Sequence, residues 1–355
     1  MNKLCVIFDR LFPPFDEGIK NIIYNLAINF PKSSVRFLSN YIFSDNLDIF
    51  QIKFNKLFLN KSLYSFLKKN EFTLILYVPF SSLTFLSFLR AKLLKIMSPK
   101  SFILIMGLQY RKCKFKKPIF NLLKPDGIIV LSQTMQKEFS FLNVPIEIFY
   151  PGVNLECFCP IENNRKIFLR KKYGFPHRAF ILLHVGHLKK TRNIELILKL
   201  TENKDYYFCL VLSSTTKKER DEELWKELIK RKNIFIIDQS LTNIEEIYQL
   251  SDCYIFPVQT RIGATEVPLS VLEAMAVNLP VVTTPYGALS EMFSHDPQKG
   301  FYFAQTEEDF SRYLKEISRR SNFSTREMVK DFSWEKRVED LYQKLINWPG
   351  PYEKG

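Results

Sequence analysis

The chain has 355 residues, and its balance of 46% hydrophobic to 25% charged residues is that of a globular protein, which excludes a disordered, collagen-like or coiled-coil chain. Its formal charge of +14 is uneven: residues 1–150 carry 21 Lys/Arg against 9 Asp/Glu, and the remainder 30 against 28. A basic body joined to a nearly neutral one attracts polyanions such as nucleic acid, anionic lipid headgroups or phosphorylated substrates.

In chain order, short apolar runs alternate with segments of helical period. Strand-like runs are Leu4–Phe8, Thr73–Val78, Phe102–Met106 and Gly127–Leu131, then Ala179–Val185, Tyr206–Leu212, Asn233–Ile237, Cys253–Pro257 and Pro280–Thr283. Continuous apolar strands without alternation fit parallel sheets covered on both faces. Ile19, Ile22, Ile23, Leu26, Ala27 and Phe30 give one buried helical stripe. The uncharged stretch Phe72–Leu89 is long enough for a membrane span, but Pro79, Ser81, Ser82 and Thr84 divide it into a strand and a helix start. Strand–helix alternation occurs on both sides of the turn Pro151-Gly152, so two doubly wound α/β domains are expected, over 1–152 and 153–332. A last helix, Trp334–Trp348 within 333–348, follows a Ser333 cap and is expected to pack back toward the N-terminal domain.

Six cysteines without a C-x-x-C, mostly inside apolar runs, read as buried thiols in a reduced compartment. No leader is read, since Met1-Asn2-Lys3 runs straight into Leu4–Phe8. The expected location is the cytoplasm, free or peripheral on the inner face of the membrane. His184 and His187 stand three apart without a third ligand at a suitable spacing, so no metal site is expected. Neither G-x-G-x-x-G nor G-x-x-x-x-G-K-S/T occurs, which removes the main support for a nicotinamide dehydrogenase or a P-loop ATPase.

The segment Thr265-Glu266-Val267-Pro268-Leu269-Ser270-Val271-Leu272-Glu273-Ala274-Met275-Ala276 carries the most chemistry. Pro268 suits a first helical turn, and the N–H groups of Leu269, Ser270 and Val271 would point out of the helix start toward a phosphate. The segment follows a strand end, where open α/β sheets bind ligands. Glu273 is placed to hold the vicinal hydroxyls of a ribose; by spacing alone a plain amphipathic helix with a solvated Glu273 stays open. Gly18, at the start of the first helix, permits close approach of a ligand phosphate or serves as an ordinary turn residue. The run Arg90-Ala91-Lys92-Leu93-Leu94-Lys95-Ile96-Met97 and the bases up to Lys124 read either as a helix at an anionic membrane surface or as a solvated face. No nucleic-acid module accompanies them, so nucleic acid is not expected as a partner.

The sequence resembles the glycosyltransferases of family 4. The resemblance rests on Pro268–Ala276, then Leu279-Pro280-Val281-Val282-Thr283-Thr284, Gly287-Ala288 and Glu291. It continues in Val130-Leu131-Ser132, Pro151-Gly152-Val153-Asn154, the loop His184-Val185-Gly186-His187-Leu188-Lys189-Lys190-Thr191-Arg192-Asn193 and the opening loop Phe12–Gly18. It implies a GT-B arrangement of two Rossmann-like domains with a cleft between them. It implies a retaining enzyme that moves a sugar from a nucleotide-sugar donor to a glycan or lipid-linked acceptor, as in cell-envelope polysaccharide synthesis. A non-catalytic polyanion- or nucleotide-binding protein and a nucleotide-sugar epimerase are the alternatives.

By that resemblance Arg192, Glu266 and Glu273 are the catalytic candidates. Gly18, Gly186, His187, Lys189, Lys190, Arg192, Thr265, Pro268, Leu269, Ser270 and Glu273 would bind the donor, and Asp16, Glu17 and Gln109 the acceptor. No metal or cofactor is implied. The family's first glutamate counts to Thr265, and Glu266 stands one place later, so either could grip the donor sugar. Where the family has Arg and Lys-Gly in the donor loop, this sequence has His187 and Arg192-Asn193. Where the family has a histidine late in the first domain, it has Leu108-Gln109-Tyr110-Arg111.

Overall fold

The computed structural model describes residues 4–9, 15, 17–40, 49–111, 117–213 and 219–348. They form two compact units. The first comprises Met1–Pro151, Thr265–Val267 and Trp334–Gly355, and the second Gly152–Ala264 and Pro268–Ser333.

Among the described residues, the first unit has strands β1 (Leu4–Phe8), β2 (Val35–Ser39), β3 (Ile49–Gln51), β4 (Leu74–Val78), β5 (Phe102–Met106), β6 (Gly127–Val130) and β7 (Ile146–Ile148). They make one parallel sheet in the order β3-β2-β1-β4-β5-β6-β7. β1 and β4 are fully buried along their length because helices cover both faces, which is why their sequences do not alternate. Phe58, Phe88, Phe120 and Phe139 fill one face, each fully burying its ring. Burial of a Phe, Leu or Ile side chain contributes about 1.5–3 kcal/mol. The helix Gly18–Asn29 and its C-cap bury Ile22, Ile23, Leu26, Ala27 and Phe30, five of the six stripe positions. The helix Trp334–Ile346 lies against it, with Tyr342 edge-on to Phe30 at 6.3 Å.

The second unit has β8 (Phe180–Gly186), β9 (Tyr206–Leu212), β10 (Ile234–Ile237), β11 (Cys253–Phe256), β12 (Val281–Thr283) and β13 (Phe301–Phe303), again parallel, in the order β10-β9-β8-β11-β12-β13. Each run expected to be a strand is one, with bounds moved by at most one residue. β2, β3, β7 and β13 were not legible. β3, β7 and β13 are three-residue edge strands, too short to show a period, and Arg36 interrupts the apolar run of β2.

The stretch 72–89 divides as expected. β4 ends at Val78, and a capping box starts the helix Phe85–Met97: Thr84 N–H donates to Ser87 Oγ at 2.7 Å, and Ser87 N–H donates to Thr84 Oγ1 at 3.4 Å. Among the described residues, no helix is long and apolar enough to cross a membrane. The thiols differ from expectation in part: Cys5, Cys209 and Cys253 are buried, whereas Cys157 is exposed.

The basic helix Phe85–Met97 also needs correction. Arg90 does not face outward. Its Nη1 donates to Asp9 Oδ2 at 3.0 Å and to the Tyr77 hydroxyl at 2.7 Å, and its Nε donates to the Lys56 carbonyl at 2.7 Å. Tyr77 in turn donates its hydroxyl to Asp9, and Phe80 N–H adds a bond to the same carboxylate. Burial raises the Asp9 carboxyl above its ordinary range, while Arg90 and these hydrogen bonds oppose the shift. Lys95 pairs with Asp126 at 3.0 Å. Of the three bases, Lys92 alone is left exposed and outside such a pair among the described residues.

Candidate functional site

In the second unit the chain runs outward from β8 through β9 to β10, then returns to β11 and runs the other way. β8 and β11 are hydrogen-bonded neighbours, so their carboxyl ends border the point where the strand order reverses. That is where open α/β sheets leave a ligand crevice, because the following loops diverge. The loops 187–193 and 257–264 leave from these two ends and are tied to each other. Asn193 Nδ2 donates to the Pro257 carbonyl at 3.1 Å, and the Thr260 hydroxyl to the Thr191 carbonyl at 3.0 Å. Asn193 takes φ 54°, a left-handed value that asparagine tolerates where glycine is usual. Tyr286 Oη accepts the Ala264 N–H at 2.8 Å and can donate to the Ala264 or the Arg261 carbonyl.

Arg192 ends the short 3-10 turn Lys190–Arg192 of the first loop and is only 8% exposed. Its Nε has no hydrogen-bond partner, and among the described residues no carboxylate pairs with it. Burial pulls its pKa below the ordinary value, opposed by the Tyr286 and Tyr254 phenols. A guanidinium stays protonated even so. The neighbouring lysines are more exposed and lie beside carboxylates: Lys189 pairs with Glu219, and Lys190 with Glu223 at 3.6 Å and Asp221 at 3.8 Å.

His184, near the end of β8, and His187, at the start of the loop, carry no charge at neutral pH. His184 Nδ1 lies 2.9 Å from the Ile255 carbonyl, which can only accept, so Nδ1 bears the proton and the buried Nε2 is a lone-pair acceptor without a partner. Burial pulls His184 down to about 4; burial, then Arg192, pulls His187 down to about 3. Gly186 lies close to both His184 and Arg192. A methyl there would come 3.3 Å from His184 Nε2 and 3.4 Å from Arg192 Nη1. Arg192 is thus the loop's one buried cation without a counter-ion among the described residues.

The helix Leu269–Ala276 starts at Pro268, whose carbonyl accepts the Val271 N–H at 3.1 Å. This corrects the expectation of three free N–H groups: those of Leu269 and Ser270 have no backbone partner among the described residues, whereas that of Val271 is used. Two stacked tyrosines, Tyr248 and Tyr254, lie beneath the helix with ring centroids 5.9 Å apart. Tyr254 donates to Ser270 Oγ at 2.6 Å, and Tyr248 to Glu273 Oε2 at 2.6 Å. Burial pushes Glu273 up to about 7, with the Tyr248 hydrogen bond acting against it. Tyr254 joins the parts. Burial raises its phenol, the bond to Ser270 lowers it, Glu273 raises it and Arg192 lowers it. Arg192, Ser270 and Glu273 therefore share one neighbourhood; the tyrosine floor beneath them was not legible in the sequence.

The remaining candidates lie in the first unit. Glu266 is fully buried, and its Oε2 accepts the hydroxyl of Ser132 at 2.8 Å. Ser132 Oγ also accepts Met135 N–H at 3.1 Å, capping the helix Gln133–Phe139. Thr265 is 8% exposed and donates its hydroxyl to the Val267 carbonyl at 2.8 Å. A methyl on Gly18 would come 3.3 Å from Thr265 Cγ2 and Oγ1, so the missing side chain makes room for Thr265. Glu17 precedes the helix at its N-cap position and lies 4.0 Å from Lys20. Gln109 follows β5, its backbone tied to the Ser82 hydroxyl, which accepts its N–H at 3.1 Å. Asp16 lies outside the described residues.

Residues 165–336 match the family described as glycosyl transferases group 1. Over 243 residues the chain is 21% identical to an uncharacterised glycosyltransferase of Methanocaldococcus jannaschii, a match covering 63% of this chain and 61% of that protein. Over 234 residues it is 23% identical to spore coat protein SA of Bacillus subtilis, covering 59% and 61%. The chain thus spans about three fifths of the length of these curated relatives. Among solved structures, a glycosyltransferase from Rickettsia africae superposes with TM-score 0.76 at 15% identity, over 98% of this chain and 100% of that one. Anabaena HepE in complex with UDP gives TM-score 0.77 at 12% identity, over 97% and 100%. The same protein with UDP-glucose gives 0.75 at 13%, over 97% and 99%. At such identities the likeness establishes the fold, two parallel-sheet Rossmann-like units of the GT-B class.

Proposed function

We propose that this protein is a glycosyltransferase that moves a sugar from a nucleotide-sugar donor to an acceptor hydroxyl with retention of configuration, as in family 4. The observation that carries the reading is Arg192: a buried guanidinium without a counter-ion among the described residues, at the ligand edge of the sheet, calls for an anion. A diphosphate supplies it. The Leu269 and Ser270 N–H groups, at the positive end of the helix Leu269–Ala276, add donors to the same charge. Stabilising the departing diphosphate is then the main catalytic task, and the departing group takes the acceptor proton on the face it leaves. In this reading no metal is needed. The Anabaena relative bound to UDP and UDP-glucose supports a uridine donor as the first to try. The acceptor we read is a glycan or lipid-linked intermediate at a membrane, supported by the basic first half of the chain. The test is to supply UDP-, GDP- and ADP-sugars and follow nucleoside diphosphate release. One donor is expected to turn over; none doing so would sink the enzymatic reading.

Glu273 adds a pH signature. Only its carboxylate form accepts two ribose hydroxyls, and its pKa of about 7 lies well above the usual carboxylate range. Nucleotide affinity should therefore rise with pH through about 7 and level off above it, since binding favours the deprotonated form. Glu273→Gln should flatten that profile and, at high pH, weaken binding by about 1.5–3 kcal/mol. Calorimetry from about pH 5.5 to 8.5 reads both; a flat wild-type profile removes Glu273 from the ribose.

A further inference from the structure

The first unit carries a surface that donor chemistry does not use. Between Asp48 and Glu71 the sequence holds five lysines and no acid, and Lys53, Lys56, Lys61, Lys68 and Lys69 are all exposed. In the same stretch Phe50, Leu57, Leu59 and Tyr64 face solvent, Leu59 with 56% of its surface. Large apolar side chains left exposed close together in the chain mark a candidate docking place.

The loop that bears the two leucines is built to hold its shape. Phe58 takes φ 64°, a costly value for a bulky residue, and keeps its ring fully buried. The ring lies edge-on to Phe54 at 4.6 Å and to Tyr77 at 5.1 Å, with the Arg90 guanidinium 5.0 Å from its centroid. With Phe58 anchored inward, Leu57 and Leu59 on either side are left exposed. Asn55 Oδ1 accepts the N–H of both Leu57 and Leu59 at 3.0 Å, and Asn55 Nδ2 donates to the Leu59 carbonyl at 2.9 Å. Phe58 N–H donates to the Asn55 carbonyl at 3.0 Å. Asn60 Nδ2 donates to the Lys53 carbonyl at 2.6 Å, while its Oδ1 caps the helix Lys61–Asn70.

We infer that the loop of residues 53–60, with Leu57 and Leu59 exposed and Lys53, Lys56 and Lys61 beside them, seats this unit on an anionic lipid bilayer. The leucines enter the acyl boundary while the lysines meet headgroup phosphates. Internal bonds favour the loop, because a backbone group entering the apolar layer without a partner is heavily penalised, and the N–H groups at the loop's tip are already paired. Here Leu57, Phe58 and Leu59 bring their N–H partners with them. Lysine without acid selects an anionic surface. The inference deepens the membrane acceptor reading but not the donor reading, and each can fail alone, since vesicle binding requires no sugar transfer.

The experiment is co-sedimentation of the full chain with vesicles of phosphatidylcholine, with and without phosphatidylglycerol, at about 0.1 M salt. The chain is expected to pellet with the mixed vesicles only, and less as salt rises. Each lysine near the surface is worth about fivefold in affinity, so Lys53→Ala, Lys56→Ala and Lys61→Ala together should cost on the order of a hundredfold. Leu57→Ser with Leu59→Ser should cost about tenfold or more. Unchanged melting temperatures show that both variants fold. In Leu59→Trp the new fluorescence should be quenched by brominated lipid. Equal binding to both vesicles, binding to neither, or a lysine variant that sediments like the wild type would overturn the proposal.

Discussion

Arg192→Ala is expected to cut kcat/KM by about 10²–10³-fold, the usual loss when one donor to a developing negative charge is removed. The melting temperature should stay level or rise. That combination separates this residue from a structural arginine. The guanidinium is almost wholly buried, and among the described residues its Nε has no hydrogen-bond partner and no carboxylate balances its charge. An unbalanced buried charge costs folding free energy, so its removal cannot weaken the fold through a lost ion pair. Arg192→Lys should recover part of the rate, because a point charge replaces a planar fork. Wild-type turnover in Arg192→Ala would put the diphosphate elsewhere. A fall in melting temperature in step with the rate would make the residue structural.

Arg90→Ala is the opposite case. It should destabilise the first unit by about 3–5 kcal/mol, because it strands Asp9 in a site 13% exposed. The loss reaches beyond one pair, since Arg90 also bonds to Tyr77 and to the Lys56 carbonyl. Asp9→Leu combined with Arg90→Leu should cost less than Arg90→Ala alone, because neither charge is then left behind. Thermal melting reads the order of the variants, and nucleotide binding, which the proposal assigns to residues of the second unit, should persist. An Arg90→Ala chain as stable as the wild type would show that the cluster contributes nothing net.

These two arginines mark what the sequence could and could not convey. Interior strands such as β1, β4 and β11 were legible because burial on both faces leaves an unbroken apolar run. The edges β3, β7 and β13, three residues each, leave no such trace. Pro268 and the strand before it pointed to the helix start, and Arg192 stood out by resemblance to a donor loop. Which cations were free to meet a ligand was not legible. Lys189 and Lys190 differ from Arg192 in lying more exposed, beside the carboxylates of Glu219, Asp221 and Glu223, which the spacing of the loop does not show. Arg90 looked like part of a basic face because its partners Asp9 and Tyr77 are 81 and 13 residues away. Glu266 also accepts the hydroxyl of Ser132, 134 residues earlier, a contact that the local sequence does not announce. Contacts of that range carry no local pattern.

The central claim is that the crevice edge of the second unit, built on Arg192, Ser270 and Glu273, holds a nucleoside diphosphate. Calorimetric titration of the wild-type chain with UDP, GDP and ADP tests it most directly. Saturable 1:1 binding of one of them, weakened in Arg192→Ala, is the result expected. No saturable binding of any of the three by a folded chain would contradict it.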